Sequence, residues 1–204
     1  MKNTITIIPA LAILTLASCK NPASETTDAT VSEAKEVASA TGGQSYTFNS
    51  NSTIGFVGSK VTGKHDGGFK TFTGNFTVKD GEPTAGEFTI QMDSTWSDAD
   101  KLTTKLKSDE FFDIEKYPES TFKVTSFTKK SEESYELSGN FTLHGVTKNI
   151  TFPTQVSKSD DMIKVKAEFD INRKEFDILY PGKTDDLIRD EVIIKLDLEA
   201  SPAS

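Results

Sequence analysis

Tyr135-Glu136-Leu137-Ser138-Gly139-Asn140-Phe141-Thr142-Leu143-His144-Gly145 decides the fold. Tyr135, Leu137, Gly139, Phe141 and Leu143 alternate with Glu136, Ser138, Asn140 and Thr142. A period of two sends successive side chains to opposite faces of a strand, one face inward and one toward water. His144-Gly145 closes the run as a hairpin tip. The same period recurs on both sides, in Phe88, Ile90 and Met92, in Ile163, Val165, Ala167, Phe169 and Ile171, and in Val192, Ile194, Leu196 and Leu198. Asp80-Gly81 and the polar cluster at 157–161 supply further turns. One helix is expected from Ser97 or Asp98 to Ser108, with Leu102 and Leu106 on one face and Ser97 or Asp98 as its cap. About eight strands, one short α-helix and short hairpins describe an all-β chain, because a parallel sheet would need repeated crossover helices. An antiparallel barrel fits this pattern, and a sandwich stays open.

All 14 Phe follow Gln44, which assigns the core to residues 45–200 and leaves 201–204 as a tail. Residues 20–44 hold no aromatic, and 12 of these 25 are Ala, Ser or Thr. Such a stretch buries too little surface to offset its chain entropy, so residues 19–44 are expected to form a flexible linker. A short helix over 31–40 would be marginal in water. As a free coil the linker would hold the domain roughly 25 to 30 Å from its origin.

Lys2 and the apolar run 5–16 have the size of a signal-peptide core, too short for a membrane-spanning helix. Residues 1–18 are therefore expected to be a signal peptide. Leu16-Ala17-Ser18-Cys19 looks like a bacterial lipobox, and Cys19, the only cysteine, would carry the acyl anchor. This places the protein in a bacterial cell envelope, on a periplasmic face or at the cell surface, with the membrane as a partner through that anchor. The net charge of −8, with no basic patch, argues against nucleic acid as a partner.

No nucleophile elbow, phosphate-binding loop, dinucleotide fingerprint or zinc-protease motif occurs, and His65 and His144 have no metal-site spacing. No catalytic residue, metal ligand or cofactor is assigned, and an enzyme is the weaker hypothesis. Gly63-Lys64-His65-Asp66-Gly67-Gly68-Phe69 comes first along the chain, then Leu106-Lys107-Ser108-Asp109-Glu110-Phe111-Phe112-Asp113, with Lys116-Tyr117-Pro118 and Thr121-Phe122 behind it. Leu143-His144-Gly145-Val146-Thr147-Lys148, Ile171-Asn172-Arg173 with Phe176, and Asp190 leading into 192–196 complete the series. In this order the motifs resemble the YceI-like family. The resemblance implies a lipocalin-like antiparallel barrel in an exported bacterial protein, with a polyisoprenoid or another long amphiphile in an elongated apolar cavity. One departure is Asp177, where the family often carries Gly; if that position needs positive φ, Asp is among the least penalised substitutes.

A barrel of about eight strands either fills with side chains or holds one ligand. The expected apolar lining is Phe56, Phe69, Phe76, Phe88, Ile90, Phe111, Phe112, Phe122, Phe141, Phe169 and Phe176, although any single Phe serves equally as plain core. Phe111 and Phe112 are adjacent, so they cannot both point inward along a regular strand, and one can line an entrance. His65 is a candidate headgroup contact or a turn residue. Arg173 suits a carboxylate or phosphate, or an ion pair with a neighbour such as Asp190. His144 is read as a turn residue. The expected function is to bind, sequester or carry a long-chain isoprenoid, quinone or fatty-acid-like lipid without catalysis. The rivals are a ligand-free structural or adhesive domain and a redox or quinone-linked partner. Mobile segments near 109–118 or 176–186 would serve release.

Overall fold

The computed structural model describes residues 20–39, 42–159, 161–184 and 186–203. Residues 1–18 and Cys19, read as signal peptide and lipidation site, lie outside them. The first half carries β1 (Thr27–Asp28), β2 (Thr30–Glu33), β3 (Gln44–Phe48), β4 (Thr53–Lys60), β5 (Gly63–Phe69), β6 (Phe72–Lys79), β7 (Glu82–Gln91), β8 (Thr95–Ser97) and α1 (Asp100–Lys107). The second half carries β9 (Glu119–Lys129), β10 (Ser134–Leu143), β11 (Val146–Ser159), β12 (Met162–Asn172), β13 (Gly182–Lys183), β14 (Asp186–Leu187) and β15 (Glu191–Pro202).

Eight strands close an antiparallel barrel in the order β12-β11-β10-β9-β7-β6-β3-β15, with β15 pairing back to β12. This settles barrel against sandwich. Past residues 49–52, β4 continues β3 along the same side of β15 and carries β5 and then β8 outward. Closure follows from the alternation: Tyr135, Leu137 and Leu143 of β10 and Ile163, Val165, Phe169 and Ile171 of β12 are all buried. The tips follow from local sterics. His144 (φ 51°) and Gly145 (φ 77°) join Leu143 to its partner Val146, and Asp80 (φ 53°) and Gly81 (φ 76°) do the same for Lys79 and Glu82. Two consecutive positive φ values give the two-residue turn whose twist matches that of the strands. Asp177 is likewise left-handed, at φ 55°.

α1 starts later than expected, at Asp100, and the methyl of Ala99 at its cap position makes no capping hydrogen bond. The two candidate caps are engaged elsewhere. The Ser97 hydroxyl pairs with Thr103 (2.9 Å), and the Asp98 carboxylate turns to His65 and to the Asp66 N–H.

The flexible-linker reading of 19–44 is corrected over most of its length. Residues 22–25 form a 3-10 turn capped by Asn21, and Ala23 packs on Val57 and Ile193 as a small apolar cluster separate from the main core. β1 then runs parallel to β12 (Thr27 beside Phe169) and β2 antiparallel to β11 (Thr30 beside Thr151, Glu33 beside Lys148). β11 and β12 pair with each other only through 155–159 and 162–166, and β1 and β2 fill the seam where they part. Beyond β2, the Lys35 N–H donates to Asn140 Oδ1 (3.0 Å), Asn140 Nδ2 donates to the Lys35 carbonyl (2.7 Å), and the Ala38 N–H donates to the Val124 carbonyl (3.0 Å). Composition misses this because strand pairing uses main-chain groups, which every residue but proline carries. Residues 31–33, where a short helix would be marginal, belong to β2.

Candidate functional site

A cavity of about 280 Å³ occupies the end of the barrel where β10 and β12 finish and β15 begins. β4 and β5 supply Phe56 and Phe69, β7 supplies Ile90, β10 supplies Phe141 and Leu143, and β12 and β15 supply Ile171, Val192 and Ile194. Leu102 and Leu106 of α1, with Phe111 and Phe112 behind it, form the remaining wall. Both members of the Phe pair line the cavity because they sit in an irregular turn, where strand alternation does not apply.

Phe56, Phe69, Ile90, Phe111, Phe112, Phe141, His65 and Arg173 therefore meet in one place. Phe76, Phe88, Phe122, Phe169 and Phe176 are corrected: none of them lines it. The first four face inward but lie toward the opposite end, where their rings pack. Phe88 stacks on Phe122 (5.1 Å between centroids), Phe122 contacts Phe152 (6.0 Å), and Phe152 stacks on Phe169 (3.8 Å). Phe76 meets Phe48 (5.1 Å) and Phe127 (6.0 Å). Phe176, in the 3-10 turn at Arg173–Phe176, stands edge-on to Phe141 (5.3 Å) and is fully buried. The barrel is thus hollow at one end and plugged with phenylalanine at the other, in place of the elongated cavity expected.

Leu102, Leu106, Leu143, Ile171, Val192 and Ile194 also line the cavity; their periodicity is visible in the sequence, but a period does not tell which inward positions border a hollow. Ile178 and Ile188 lie in irregular chain and carried no signal.

Polar groups gather at the cavity's outer edge. His65 Nδ1 lies 2.7 Å from Asp98 Oδ1, with its side chain 37% exposed. The Asp98 carboxyl is held below its ordinary range, first by the hydrogen bond from His65 and then by the Asp66 N–H, against partial desolvation. Lys60, also on the edge, pairs with Asp186. Arg173 is buried, with its nitrogens committed to protein: Nε donates to the Arg189 carbonyl (3.1 Å), one terminal nitrogen to the Ile178 carbonyl (2.5 Å) and the other to Asp190 Oδ1 (3.1 Å). Burial lowers its pKa while Asp190 opposes that shift. It braces the chain across the mouth. Among the described residues no three His, Cys, Asp or Glu side chains converge as a metal site would need.

The model of the YceI-like domain matches residues 46–200. The chain belongs to the YceI-like family. A UPF0312 protein of Pseudomonas putida strain W619 is 33% identical over 126 residues, covering 58% of this chain and 66% of its own length. The protein YceI of Salmonella newport strain SL254 is 33% identical over 123 residues, covering 55% of this chain and 62% of its own. The chain thus spans less than two thirds of either relative. Among solved structures, BcnA of Burkholderia cenocepacia superposes with a TM-score of 0.68 at 20% identity, over 74% of this chain and 97% of that one. A polyisoprenoid-binding domain from Saccharophagus degradans, implicated in plant cell wall breakdown, gives 0.66 at 18% identity, over 82% and 100%. These likenesses establish the YceI-like barrel fold. Residues 20–39, whose strands β1 and β2 fill the seam, precede the matched region.

Proposed function

We propose that this YceI-like protein binds the apolar chain of a long amphiphilic lipid, an isoprenoid or a relative such as a quinone, without chemical transformation. It does so in a bacterial envelope, anchored by acyl chains on Cys19. The observation that carries the reading is the cavity, walled by aliphatic and phenyl groups and bordered by His65 and Lys60. Its size sits at the lower edge of the roughly 300–1,000 Å³ usual for ligand pockets, so it takes the leading segment of a chain and leaves the rest at the mouth. Each methylene moved from water into such walls gains about 0.8 kcal/mol, part of which is offset by immobilisation. The headgroup lies outside, within reach of the His65–Asp98 pair. Phe111, Phe112 and Ile178 come from the connections 109–118 and 176–186, which act as the gate. The fold of the Saccharophagus degradans domain and its stated ligand class support this reading.

Protein purified from its native membrane, extracted with organic solvent and analysed by mass spectrometry, is expected to release isoprenoid or related long-chain lipid in near-stoichiometric amount. Protein that yields none, while stably folded, would show that the cavity is structural.

A further inference from the structure

We infer that the mouth of the barrel docks directly on the membrane surface, so that a lipid passes between bilayer and cavity without crossing bulk water. This rests on the lipid-binding reading above and on the anchor at Cys19, and two independent features of the structure lead to it.

The first is the rim. Five large hydrophobic side chains are exposed among the described residues, and three of them border the mouth: Val61 (55%), Leu179 (59%) and Leu187 (50%). Each adjoins in sequence a residue that lines the cavity, Val61 following Lys60, Leu179 following Ile178 and Leu187 preceding Ile188. The Val61 N–H donates to the Leu187 carbonyl (3.3 Å), and Lys60 bridges to Ile188, so the β4–β5 turn and β14 form one continuous lip. Apolar side chains clustered around an apolar opening mark an interaction site more than a solvent surface.

The second is where the chain toward the anchor leaves the barrel. A free linker would let the domain tumble, but Asn21 is already fixed: its Nδ2 donates to Glu191 Oε2 (3.5 Å), and Ala23 is seated on Val57 and Ile193. Glu191 opens β15, next to Val192 of the cavity wall. Cys19 precedes Asn21 by two residues, a reach of at most about 7 Å, and Leu187 precedes Glu191 by four, at most about 14 Å. A leash that short, leaving from Asn21 at the start of β15, turns the mouth toward the lipid headgroups. With a net charge of −8 the attraction is not electrostatic, so acyl chains and rim must supply it and added salt must leave it intact.

The test uses the full chain isolated from membranes. Trp96, the only tryptophan, is replaced by Phe, and a new reporter is introduced as Leu187→Trp or, at the plugged end in the β9–β10 connection, as Glu132→Trp. Each protein is reconstituted into vesicles of phosphatidylethanolamine, phosphatidylglycerol and brominated phosphatidylcholine. Emission from position 187 is expected to fall about twofold through contact with brominated chains, at low and high salt alike, while position 132 is unaffected. Equal quenching at both positions, or none at 187, overturns the docking. Lipid extraction from the same samples separates the two readings: lipid recovered without quenching at 187 overturns the docking alone, and quenching at 187 with an empty cavity upholds docking while removing its cargo.

Discussion

Phe122 sets the depth of the cavity. Ile90 and Ser120 are paired across β7 and β9 and line it; two residues further along the same faces, Phe88 and Phe122 are paired and stacked. The Phe122 ring also lies against Gly139 so closely that a Cβ there would collide with it, which is why that inward position of β10 carries no side chain. Phe122→Ala is expected to cost about 3–5 kcal/mol, lowering the melting temperature, and to lengthen the cavity toward Phe152. Lipids recovered from the variant should shift to longer chains; an unchanged distribution would place the limit elsewhere. At the plugged end, Glu82 answers to pH instead. Hydrogen bonds from Lys158, Tyr135 and Lys129, in that order, lower its pKa from 4.5 to about 2. Because the folded value is the lower one, the stabilisation is complete above the ordinary carboxylate range and is lost as pH falls from about 4.5 through 2. Thermal melts of Glu82→Gln across that window should show a flatter acid limb than the parent; parallel limbs would show that other carboxylates dominate.

At the scale of elements, the seam between β11 and β12 shows where reading a sequence stops. Strand periodicity gave β10, β12 and β15 correctly because one face of each is buried, and burial writes itself into side-chain polarity. β1 and β2 are held by main-chain pairing and carry no such mark. The sequence marks only their seat: Val57 beside Phe56, and Ile193 between Val192 and Ile194, break the alternation by adding apolar groups on the outer face. Those groups are the seat of Ala23. The same docking buries Asp170, whose carboxylate accepts from the Thr26 hydroxyl (2.7 Å). Burial raises the Asp170 pKa, and Asp28 and Glu191 add to the rise while Thr26 opposes it. With the folded value above the unfolded one, the charged form is disfavoured in the fold, so docking of the segment weakens as pH rises through that range. Asp170→Asn keeps an acceptor for Thr26 and removes the charge. The Ala29 amide, which donates to the Asp170 carbonyl (2.9 Å), should exchange more slowly with deuterium in this variant at neutral pH, with the difference shrinking under acid. Equal exchange at all pH values would mean the buried charge does not govern the seam.

For the whole molecule, an eight-strand closure was legible while the height of the hollow was not. A period of two reports which face a side chain takes, never how far along the barrel axis it sits. Phe141 and Phe169 both face inward along regular strands, yet one lines the cavity and the other stacks in the plug. The hollow end carries a thermodynamic consequence. Empty apolar walls forgo dispersion contacts, and a chain that fills them binds the folded state alone, adding about 2.7 kcal/mol when free lipid is about 100 times its Kd. For a chain of this size each kcal/mol moves the midpoint by about 2–4 °C, so delipidated protein should melt about 5–11 °C below the loaded form under those conditions. Scanning calorimetry before and after gentle detergent extraction, followed by reloading with a polyprenol, measures this directly. In the deepened cavity of Phe122→Ala the increment should grow with polyprenol length, whereas in the parent it should level off once the chain reaches the Phe88–Phe122 stack. Lipid that binds tightly yet leaves the midpoint unchanged would have to favour folded and unfolded chains equally, as an adsorbed surface film does, and the barrel interior would then be no binding site at all.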